Sequence, residues 1–470
     1  MFSKIRAGFY IGMFAVLAMF TGAASARSSF QEGEPEYPTY VVQAGDTLSS
    51  IALKFGVDVA SIVNHNNISD PNQLYQGAKV VIPGIDWVQG ELDKRSIPLG
   101  ESYQSILRRY NIPGNTLGRL SDLSSPTQIY VGYAALLPVD RDRHRSSARI
   151  AVGAETSLLE LAVANNSNPW ALVSANDLPG IWSVASGDVI FVPGSNDPGP
   201  GALPSPITNF EVVKGNFAQG KTTVVRIKAN GIKLQLSGSF INHQLAFFQD
   251  ADNSMVALQG VHAMTEPGTY PFEVNGILED GTSFKYSQMV GVKEWGYGSE
   301  KISIKDSSYL DPAITQPEMD YLISIVSKNG EQKLWEGIFQ APSPHSDTIN
   351  SYFGTRRAFN GSEYDFYHSG VDFGGGLGVE ITAPASGVVV LAEALEIRGN
   401  ATIIDHGWGI YSGYWHQSEI KVNVGDFVTP GQIIGIVGNT GRSSGAHLHW
   451  EMWVGGVQVE PLDWLFQFYP

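Results

Sequence analysis

The chain has 470 residues and carries 30 Lys and Arg against 46 Asp and Glu, so its formal net charge is −16. This acidic balance excludes the class of nucleic-acid-binding proteins that depends on phosphate contacts. Cysteine is absent, which excludes disulfides, Cys-ligated metals, iron–sulfur clusters and a cysteine nucleophile. Any bound metal ion must therefore be held by His, Asp or Glu.

Residues 1–26 have the pattern of a secretory signal peptide. Lys4 and Arg6 precede an apolar stretch that ends near Gly22, and Ala24-Ser25-Ala26 forms a small-residue cleavage site. The alternative is an uncleaved N-terminal anchor. No later segment has the roughly 18 consecutive apolar residues that a membrane span needs. We therefore expect a secreted protein, in a periplasm, at a cell wall or outside the cell, with no membrane attachment after cleavage.

Three repeats with a spacing of 55 residues follow, at 39–84, 94–139 and 149–194. The segment that begins at Gly45 aligns without gaps with those that begin at Gly100 and Glu155. The first helical segment of a repeat has apolar residues at the spacing of one helix face, which are Leu48, Ile51, Ala52 and Phe55. Apolar strand-like runs begin and end each repeat, so each is predicted to be a small βααβ unit.

The first repeat resembles a LysM module, a glycan-binding unit associated with peptidoglycan and chitin. The resemblance is carried by YVVQAGDTLSSIALKFGV, NNI and LYQGAKVVIPG. It is weakest in the second repeat, where GESYQSILRRY departs from the pattern. The alternatives are that the second and third repeats are spacers and that the glycines and apolar residues only form the turn and core. The resemblance implies glycan contacts in two loops, by Gly45, Asp46, Thr47, Asn66, Asn67 and Ile68.

The middle of the chain is predicted to be a linker, a β domain and a connecting segment. Residues 195–206 include DPGPGALPSP, whose prolines and glycines indicate an exposed linker. Short alternating runs over 207–295 favour an antiparallel sandwich of immunoglobulin-like type. Over 296–340 we expect one helix with Pro317 in its first turn and Gly330 as its stop. We interpret this middle region as scaffold, with control of access to the following domain as the alternative.

Six of the ten histidines fall within residues 341–470. They are organised by three short motifs, HSGVDF, YWHQ and GAHLHWE. His447 and His449 are two residues apart, so on a strand they point to the same face. The surrounding segment is rich in strand-like runs with Gly and Pro turns, which predicts a mainly antiparallel β domain.

Two imidazoles and a carboxylate form a suitable zinc site with its fourth position open to water. Zinc is favoured over other metals because the ligands are nitrogen and oxygen and no redox chemistry is indicated. Such an ion polarises a scissile carbonyl and lowers the pKa of water toward about 7. There is no HExxH helix, so no Glu is placed as the general base of that metalloprotease type.

These motifs occur in order with IIGIVGNTGRSSGAHLHWE, and the region from Ile349 to Trp464 resembles the lysostaphin-type zinc metallopeptidases. Members of that family cut peptide bonds in bacterial peptidoglycan. Gln417 departs from the family pattern, and the motif DHG around His406 is a scaffold element in it. The resemblance implies one Zn²⁺ per chain with His368, Asp372 and His449 as ligands, and His416 and His447 as catalytic residues.

The function predicted from the sequence is a monomeric, secreted zinc endopeptidase that cleaves the stem or cross-bridge peptides of peptidoglycan. Its LysM-like repeats would anchor it to the glycan. The alternatives are a non-catalytic wall-binding or hydrolase-activating protein with a peptidase-like fold, and a glycan-binding adhesin. Residues 341–470 carry five Lys and Arg against thirteen Asp and Glu, a net charge of −8. Attraction to an anionic wall is therefore not electrostatic, and targeting must come from specific contacts of the repeats.

Overall fold

The computed structural model describes residues 37–470 apart from 71–73, 86–87, 89, 111, 140–146, 153–156, 177, 185–188, 194–206, 215–216, 230–233, 280, 282 and 305–309. The predicted signal peptide and the predicted linker lie outside the described residues. Within this part of the chain, no helix combines the length and the apolar character needed to cross a bilayer.

Each of the three N-terminal units has the order strand, helix, helix, strand. The first contains β1 (Thr39–Val41), α1 (Leu48–Phe55), α2 (Val59–His65) and β2 (Lys79–Val81). The second contains β3 (Glu91–Ser96), α3 (Tyr103–Tyr110), α4 (Gly114–Leu120) and β4 (Ala134–Pro138), with a 3₁₀ turn at Pro126–Gln128. The third contains β5 (Ser147–Ala151), α5 (Leu158–Ala164), α6 (Pro169–Ala175) and β6 (Val189–Pro193). The first two units share one sheet, in the order β2-β1-β3-β4, and β5 pairs with β6.

Helix α1 shows why these short segments form helices. The Thr47 side chain accepts a hydrogen bond from the Ser50 backbone N–H, and the Ser50 hydroxyl accepts one from the Thr47 N–H. The helix ends at Gly56, whose φ of 68° suits a residue without a β-carbon. The predicted apolar face is the buried one, and it packs in the core of the first unit.

Residues 207–292 form two four-stranded antiparallel sheets. Their strands are β7 (Ile207–Lys214), β8 (Thr222–Ala229), β9 (Leu234–Phe240), β10 (His243–Ala246), β11 (Phe248–Gln249), β12 (Met255–Gly260), β13 (Gly268–Leu278) and β14 (Ser283–Val292). One sheet has the order β10-β9-β13-β14 and the other β11-β12-β8-β7. A core that includes Phe210, Phe240 and Phe272 joins strands of both sheets. The immunoglobulin-like type of this domain stays a prediction.

The connecting segment contains strand β15 (Ser299–Ile302) and helix α7 (Pro312–Val326). The prediction of where this helix begins and ends was wrong. Pro312, not Pro317, occupies the first turn, after Asp311 as the N-terminal cap, and the helix ends at Val326, before Gly330. Pro317 lies inside the helix, where it removes one backbone hydrogen bond. The helix continues through it because Leu322 and Val326 on the same helix are completely buried.

The C-terminal region is mainly antiparallel β structure. Its strands are β16 (Ile349–Ser351), β17 (Arg356–Phe359), β18 (Phe366–Tyr367), β19 (Val371–Phe373), β20 (Glu380–Thr382), β21 (Gly387–Leu395), β22 (Gly399–Gly407), β23 (Ile410–Ile420), β24 (Phe427–Val428), β25 (Ile433–Val437), β26 (Leu448–Val454) and β27 (Val457–Val459), followed by helix α8 (Pro461–Phe466). Ten strands form one sheet with the path β16-β19-β26-β23-β22-β21-β24, to which β20, β25 and β27 are attached. Strands β17 and β18 pair with each other, and β15 pairs with β17 in parallel.

The core of the C-terminal region is shared with the segments before it. Val256 and Leu258 of β12, together with Trp335 and Phe339, belong to the same buried cluster as Trp450 of β26. Burial of apolar surface is the main favourable contribution to folding. The preceding domain and the connecting segment therefore stabilise the C-terminal sheet directly, beyond the scaffold role that their sequence indicated.

Candidate active site

Three neighbouring strands of the large sheet bring the predicted site together. Asp372 on β19 lies directly opposite His449 on β26, and His449 in turn lies opposite Trp415 on β23. His416 is the next residue along β23. Because β26 lies between β19 and β23, a carboxylate and two imidazoles that are far apart in sequence meet at one place. The antiparallel register therefore positions these groups on rigid elements.

The three predicted metal ligands form one compact group. His368 Nε2 lies 3.1 Å from Asp372 Oδ1 and 3.0 Å from His449 Nδ1. His449 Nδ1 lies 2.8 Å from the same Asp372 Oδ1. Within the described residues, this is the set of His, Asp and Glu side chains whose ligand atoms are grouped closely enough to hold a metal ion. Two imidazole nitrogens and one carboxylate oxygen are the donor set of catalytic zinc sites, so the residues fit this metal.

The other nitrogen of each ligand histidine has its own partner. His368 Nδ1 is 3.0 Å from the Tyr352 carbonyl oxygen, to which it donates. His449 Nε2 is 3.1 Å from Glu451 Oε1 and donates to that carboxylate. Toward a bound metal ion, these bonds would keep the protons on His368 Nδ1 and His449 Nε2 and leave His368 Nε2 and His449 Nδ1 as lone-pair donors. Metal-binding histidines are commonly oriented in this way.

Burial and mutual hydrogen bonds shift the pKa values of the three ligand side chains. Burial disfavours ionisation of Asp372, but hydrogen bonds from His368 and His449 outweigh it and hold its pKa well below the usual value. Burial lowers the pKa of His368. Burial also opposes protonation of His449, but hydrogen bonds to Asp372 and Glu451 outweigh it and raise its pKa. A proton and a metal ion therefore compete for Nδ1 of His449.

Glu451 is a candidate site residue that the sequence reasoning missed. It is 1% exposed and accepts hydrogen bonds from His449, Ser369, Trp453 and Gln458. Although its burial favours the neutral acid, the hydrogen bond with His449 and the charge of Arg398 lower its pKa to about 2. The available signal was its position two residues after His449, on the same face of β26.

The network around Glu451 continues to the preceding β domain. Gln458 Oε1 accepts a hydrogen bond of 2.6 Å from the Tyr367 hydroxyl. That hydroxyl is 3.0 Å from Nε2 of His262, which follows strand β12. His262 had no role in the sequence interpretation. Here it connects the β domain to the shell of polar groups around the predicted metal ligands.

His416 is held in an unusual backbone conformation. Its φ is 64°, a left-handed value that a β-carbon disfavours. The His416 N–H donates to the Arg398 carbonyl at 2.8 Å, and Nδ1 is 2.8 Å from the Thr440 carbonyl, to which it donates. Nε2 is thus the unprotonated nitrogen. Burial, followed by the charges of His449 and His447, lowers the pKa of His416 to about 3.

His447 completes the predicted set of five residues. Its ring centroid is 5.0 Å from that of His416, and its Nε2 is 3.5 Å from Asp372 Oδ1. Nδ1 is 2.8 Å from the Gly445 carbonyl oxygen, to which it donates. The structure therefore places two further imidazoles beside the three ligand atoms, as proposed catalytic groups require.

His406 has a different environment, as its predicted scaffold role requires. It is completely buried, with Nδ1 2.8 Å from the Ser386 carbonyl and Nε2 2.8 Å from the Ser412 hydroxyl. Burial lowers its pKa to about 4. Both ring nitrogens have partners, so His406 supports the sheet and is not part of the ligand group.

Asn66, a predicted glycan-binding residue, has its side chain engaged inside the first unit. Its amide nitrogen donates to the Ile62 and Val81 carbonyls at 2.8 and 2.7 Å, and its amide oxygen accepts from the Val81 N–H at 2.7 Å. Asn176 makes the same three bonds in the third unit, to Leu172 and Phe191. This amide therefore fastens the second helix to the closing strand.

The other predicted glycan contacts divide between turn residues and one exposed side chain. Gly45 has a φ of 84°, Asp46 accepts bonds of 2.6 and 2.8 Å from the Tyr40 hydroxyl and the Gln43 N–H, and Thr47 caps α1. Ile68 is half-buried against the core of the unit. Asn67 is exposed at a φ of 51°, which leaves its side chain available to a ligand.

Comparison with known families matches two regions of this chain. Residues 366–461 match peptidase family M23, and residues 40–83 and 99–133 match the LysM domain. The chain therefore carries LysM domains in its N-terminal part and an M23 peptidase domain in its C-terminal part. All five predicted metal-binding and catalytic residues lie inside the matched peptidase region, and both resemblances drawn from the motifs are confirmed. The LysM match covers the first unit and the second, which was expected to resemble the module least, while the third unit at 149–194 stays a prediction.

Individual relatives match parts of this chain. The peptidoglycan DD-endopeptidase ShyA of Vibrio cholerae is 36% identical over 135 residues, which are 29% of this chain and 31% of that protein. The DD-carboxypeptidase/endopeptidase Mpg of Neisseria meningitidis is 38% identical over 96 residues, 20% of this chain and 22% of that protein. A structure of lysostaphin from Staphylococcus simulans is 36% identical, with a TM-score of 0.20, and covers 21% of this chain and 43% of that one. The chain thus matches less than a third of the length of these two curated relatives.

Proposed function

We propose that the protein is a secreted zinc metalloendopeptidase that hydrolyses peptide bonds in bacterial peptidoglycan. The observation that carries this proposal is the meeting of His368, Asp372 and His449 in one ligand group, with His416 and His447 beside it. The M23 peptidase match and the names of the relatives support peptidoglycan as the substrate. The LysM match supports glycan binding as the means of attachment.

The location follows from the same features. A substrate in the cell wall requires export, and residues 1–26 have the sequence pattern of a signal peptide. We therefore place the protein in the periplasm or at the cell wall. The peptide of the wall would be the substrate, and the glycan would be the anchor.

A zinc ion held by His368, Asp372 and His449 would supply a Lewis acid for the scissile carbonyl and for the attacking water. The protein's own contribution is to hold these three donors on strands β19 and β26 and on the turn before β19. Tyr352 and Glu451 keep each histidine in the tautomer that directs a lone pair into the site. The site therefore needs little rearrangement when it is used.

His416 and His447 would divide the proton transfers between them. His416 carries its proton on Nδ1, bonded to Thr440, so Nε2 is free to accept a proton from water. His447 carries its proton on Nδ1, bonded to Gly445, and its Nε2 lies beside the Asp372 carboxylate. When protonated on Nε2, His447 would stabilise the oxyanion that develops on the substrate.

We further propose a D,D-peptide bond as the one that is cut, between D-alanine and the D-centre of a diamino acid. The relatives ShyA and Mpg are named as a DD-endopeptidase and a DD-carboxypeptidase/endopeptidase, and each exceeds 35% identity over the residues that it matches. Glycine cross-bridges are the competing substrate. The two choices differ in the amine terminus that cleavage releases.

The test uses the purified protein loaded with zinc and two insoluble peptidoglycans, one cross-linked directly and one through glycine bridges. Soluble products are identified by mass spectrometry. We expect a new amine terminus on the diamino acid, absent with His447→Ala and present with His345→Ala, an exposed histidine of the same region. Release of glycine termini alone would refute the D,D assignment. No products from either wall, despite bound zinc and firm wall binding, would favour the wall-binding or hydrolase-activating alternative.

A further inference from the structure

We propose that Glu318, on helix α7, is a positioning residue for His416. Glu318 lies outside the region matched to the peptidase family, in the segment interpreted from sequence as a connection. It would act through the turn that joins strands β21 and β22, called here the 396–399 turn. This inference rests on the proposed function, because it takes His416 as a catalytic residue.

Helix α7 packs against the face of the large sheet that also carries His449. Leu322 and Val326 are completely buried in a cluster with Tyr411, Trp415 and Trp453 of strands β23 and β26. Glu318 lies one helical turn before Leu322, on the same face, and is 9% exposed. A carboxylate at this position is therefore directed into the protein, where it needs partners.

Those partners all belong to the 396–399 turn. The Glu318 carboxylate accepts hydrogen bonds from the backbone N–H of Ile397 at 2.8 Å and of Arg398 at 3.2 Å. It also accepts one from the Arg398 guanidinium at 2.9 Å, and both side chains of this ion pair are largely buried. The guanidinium lies 5.6 Å from the ring of Trp415, the residue before His416. One side chain of α7 thus holds the turn through its backbone and through its side chain.

Residues of the 396–399 turn bond to His416 and to the loop around it. The Arg398 carbonyl accepts the His416 backbone N–H at 2.8 Å, and the Ile397 carbonyl accepts the Arg442 N–H at 2.7 Å. The Thr440 carbonyl accepts a hydrogen bond from His416 Nδ1, and the Thr440 hydroxyl accepts one from the Asn400 N–H at 2.9 Å. The backbone of His416 and its imidazole are therefore both bonded to groups that pack around this turn.

Close packing makes this arrangement sensitive to small displacements. A β-carbon on Gly441 would collide with the backbone of Gly399, so the turn and the loop after Thr440 are in direct contact. The left-handed φ of His416 must be maintained by its surroundings, since the residue itself disfavours it. Loss of the Glu318 carboxylate leaves two turn N–H groups and a buried guanidinium without this acceptor. The turn would then shift, and His416 would shift with it.

The ligand group is held by other hydrogen bonds, and the Glu318–Arg398 pair reaches it only through the charge of Arg398 on Glu451. His368, Asp372 and His449 lie before and on strands β19 and β26, and their bonding partners are Tyr352 and Glu451. Removal of Glu318 should therefore impair catalysis while zinc binding and substrate binding persist. This separation distinguishes a positioning role from general support of the fold.

The test compares Glu318→Ala and Glu318→Gln with Asp320→Asn in the full chain loaded with zinc. Asp320 is exposed on the same helix, so its substitution makes a similar charge change away from the turn. We expect Glu318→Ala to lower kcat on a soluble cross-linked muropeptide about 10- to 100-fold. KM should change less than about threefold, and the zinc content should remain one per chain. Glu318→Gln should fall between Glu318→Ala and the unaltered protein, since an amide oxygen still accepts from the turn.

A direct readout of His416 accompanies the kinetics. Imidazole ¹⁵N signals of His416 should move in Glu318→Ala and stay in place in Asp320→Asn, while those of His406 stay in place in both. An unchanged kcat with unchanged His416 signals would overturn the inference, and so would a loss of activity that only follows a loss of zinc or of folding. Absence of cleavage by the unaltered protein and by Asp320→Asn would instead count against the proposed function.

The double variant Glu318→Leu with Arg398→Met separates positioning from the effect of an unpaired buried charge. It removes both charges and keeps apolar volume at both positions. We expect the thermal stability to recover relative to Glu318→Ala while kcat stays low, because the backbone bonds to the 396–399 turn are still missing. Recovery of kcat together with stability would overturn the positioning role.

Discussion

Asp372 and His449 lie directly opposite each other on antiparallel strands, and Asp372 Oδ1 is 2.8 Å from His449 Nδ1. The pair is set by strand register, in which a shift of one strand by one residue would turn its side chain to the other face of the sheet and separate the two. His368 reaches the same point from the turn before β19. The metal-binding geometry is therefore a property of the sheet, and the following predictions depend on it.

Asp372→Ala should abolish metal binding. It removes the only carboxylate of the ligand group, and two imidazoles alone bind zinc weakly. We expect the zinc content, measured by inductively coupled plasma mass spectrometry, to fall from one per chain to near zero, with loss of cleavage. Asp365→Ala, at an exposed position on the same segment, should keep its zinc. A fully zinc-loaded Asp372→Ala protein would contradict the assigned ligand set.

His416→Ala should separate catalysis from metal binding. His416 bonds to Thr440 and Arg398, not to the three ligand atoms, so its loss should leave zinc in place. Loss of a positioned acid–base group lowers kcat by roughly 10²–10⁴-fold. Its pKa of about 3 lies below the ordinary value, so His416 stays neutral as pH falls from 8 to 5. A loss of activity in that range should therefore not come from protonation of His416, and measuring zinc content and activity in the same samples shows whether it follows zinc release.

Glu451→Gln should weaken zinc binding without eliminating it. The substitution keeps the shape of the side chain but replaces a charged acceptor for the His449 N–H by a neutral one. Loss of such a partner typically weakens metal affinity about 10- to 100-fold. Competition with a chromophoric chelator measures this directly. The exposed Glu419→Gln serves as the control, and equal affinities of the two variants would refute a role for Glu451.

Glu460→Gln should make the protein more stable at alkaline pH. Burial, with a contribution from Asp463, raises the pKa of Glu460 from 4.5 to about 7. Between these values the folded protein binds more protons than the unfolded chain, so stability falls as pH rises from 4.5 through 7. The shift corresponds to at most about 3 kcal/mol in the free energy of unfolding. Chemical unfolding should show a much larger gain for Glu460→Gln at pH 8 than at pH 5, where the folded carboxyl is still mostly protonated.

Neighbouring asparagines in the first LysM unit should have different functions. Asn66→Ala breaks three internal hydrogen bonds and should destabilise the unit by about 1–3 kcal/mol. Asn67→Gly retains the positive φ at an exposed position and should leave the stability nearly unchanged. Amide hydrogen exchange measures the stability of the unit in both variants. Binding to soluble glycan fragments measures whether the Asn67 side chain contacts the ligand. Unchanged glycan binding by Asn67→Gly would remove the last exposed polar candidate in this loop.

Part of the site could be predicted because its signals are local. His447 and His449 lie on one face of a strand, and HSGVDF supplies an imidazole and a carboxylate within five residues. The repeats were visible as a regular spacing, and the helix periodicity identified the buried residues of α1 correctly. The same spacing also aligned Asn66 with Asn176, but a spacing does not reveal that their amides bond inward.

The sequence by itself determined which residue types carry the chemistry, since the motifs show them directly. It also determined which short elements present them, since residues on one face recur with periods of two in strands and 3.6 in helices. The tertiary structure alone decided which partner each ring nitrogen of the site histidines has, where helix α7 begins, and that Glu451 and Glu318 have buried partners. Glu318 and Arg398 are 80 residues apart in the chain and meet at 2.9 Å. Such contacts arise from packing and strand register, in which distant segments become neighbours only after the core has formed.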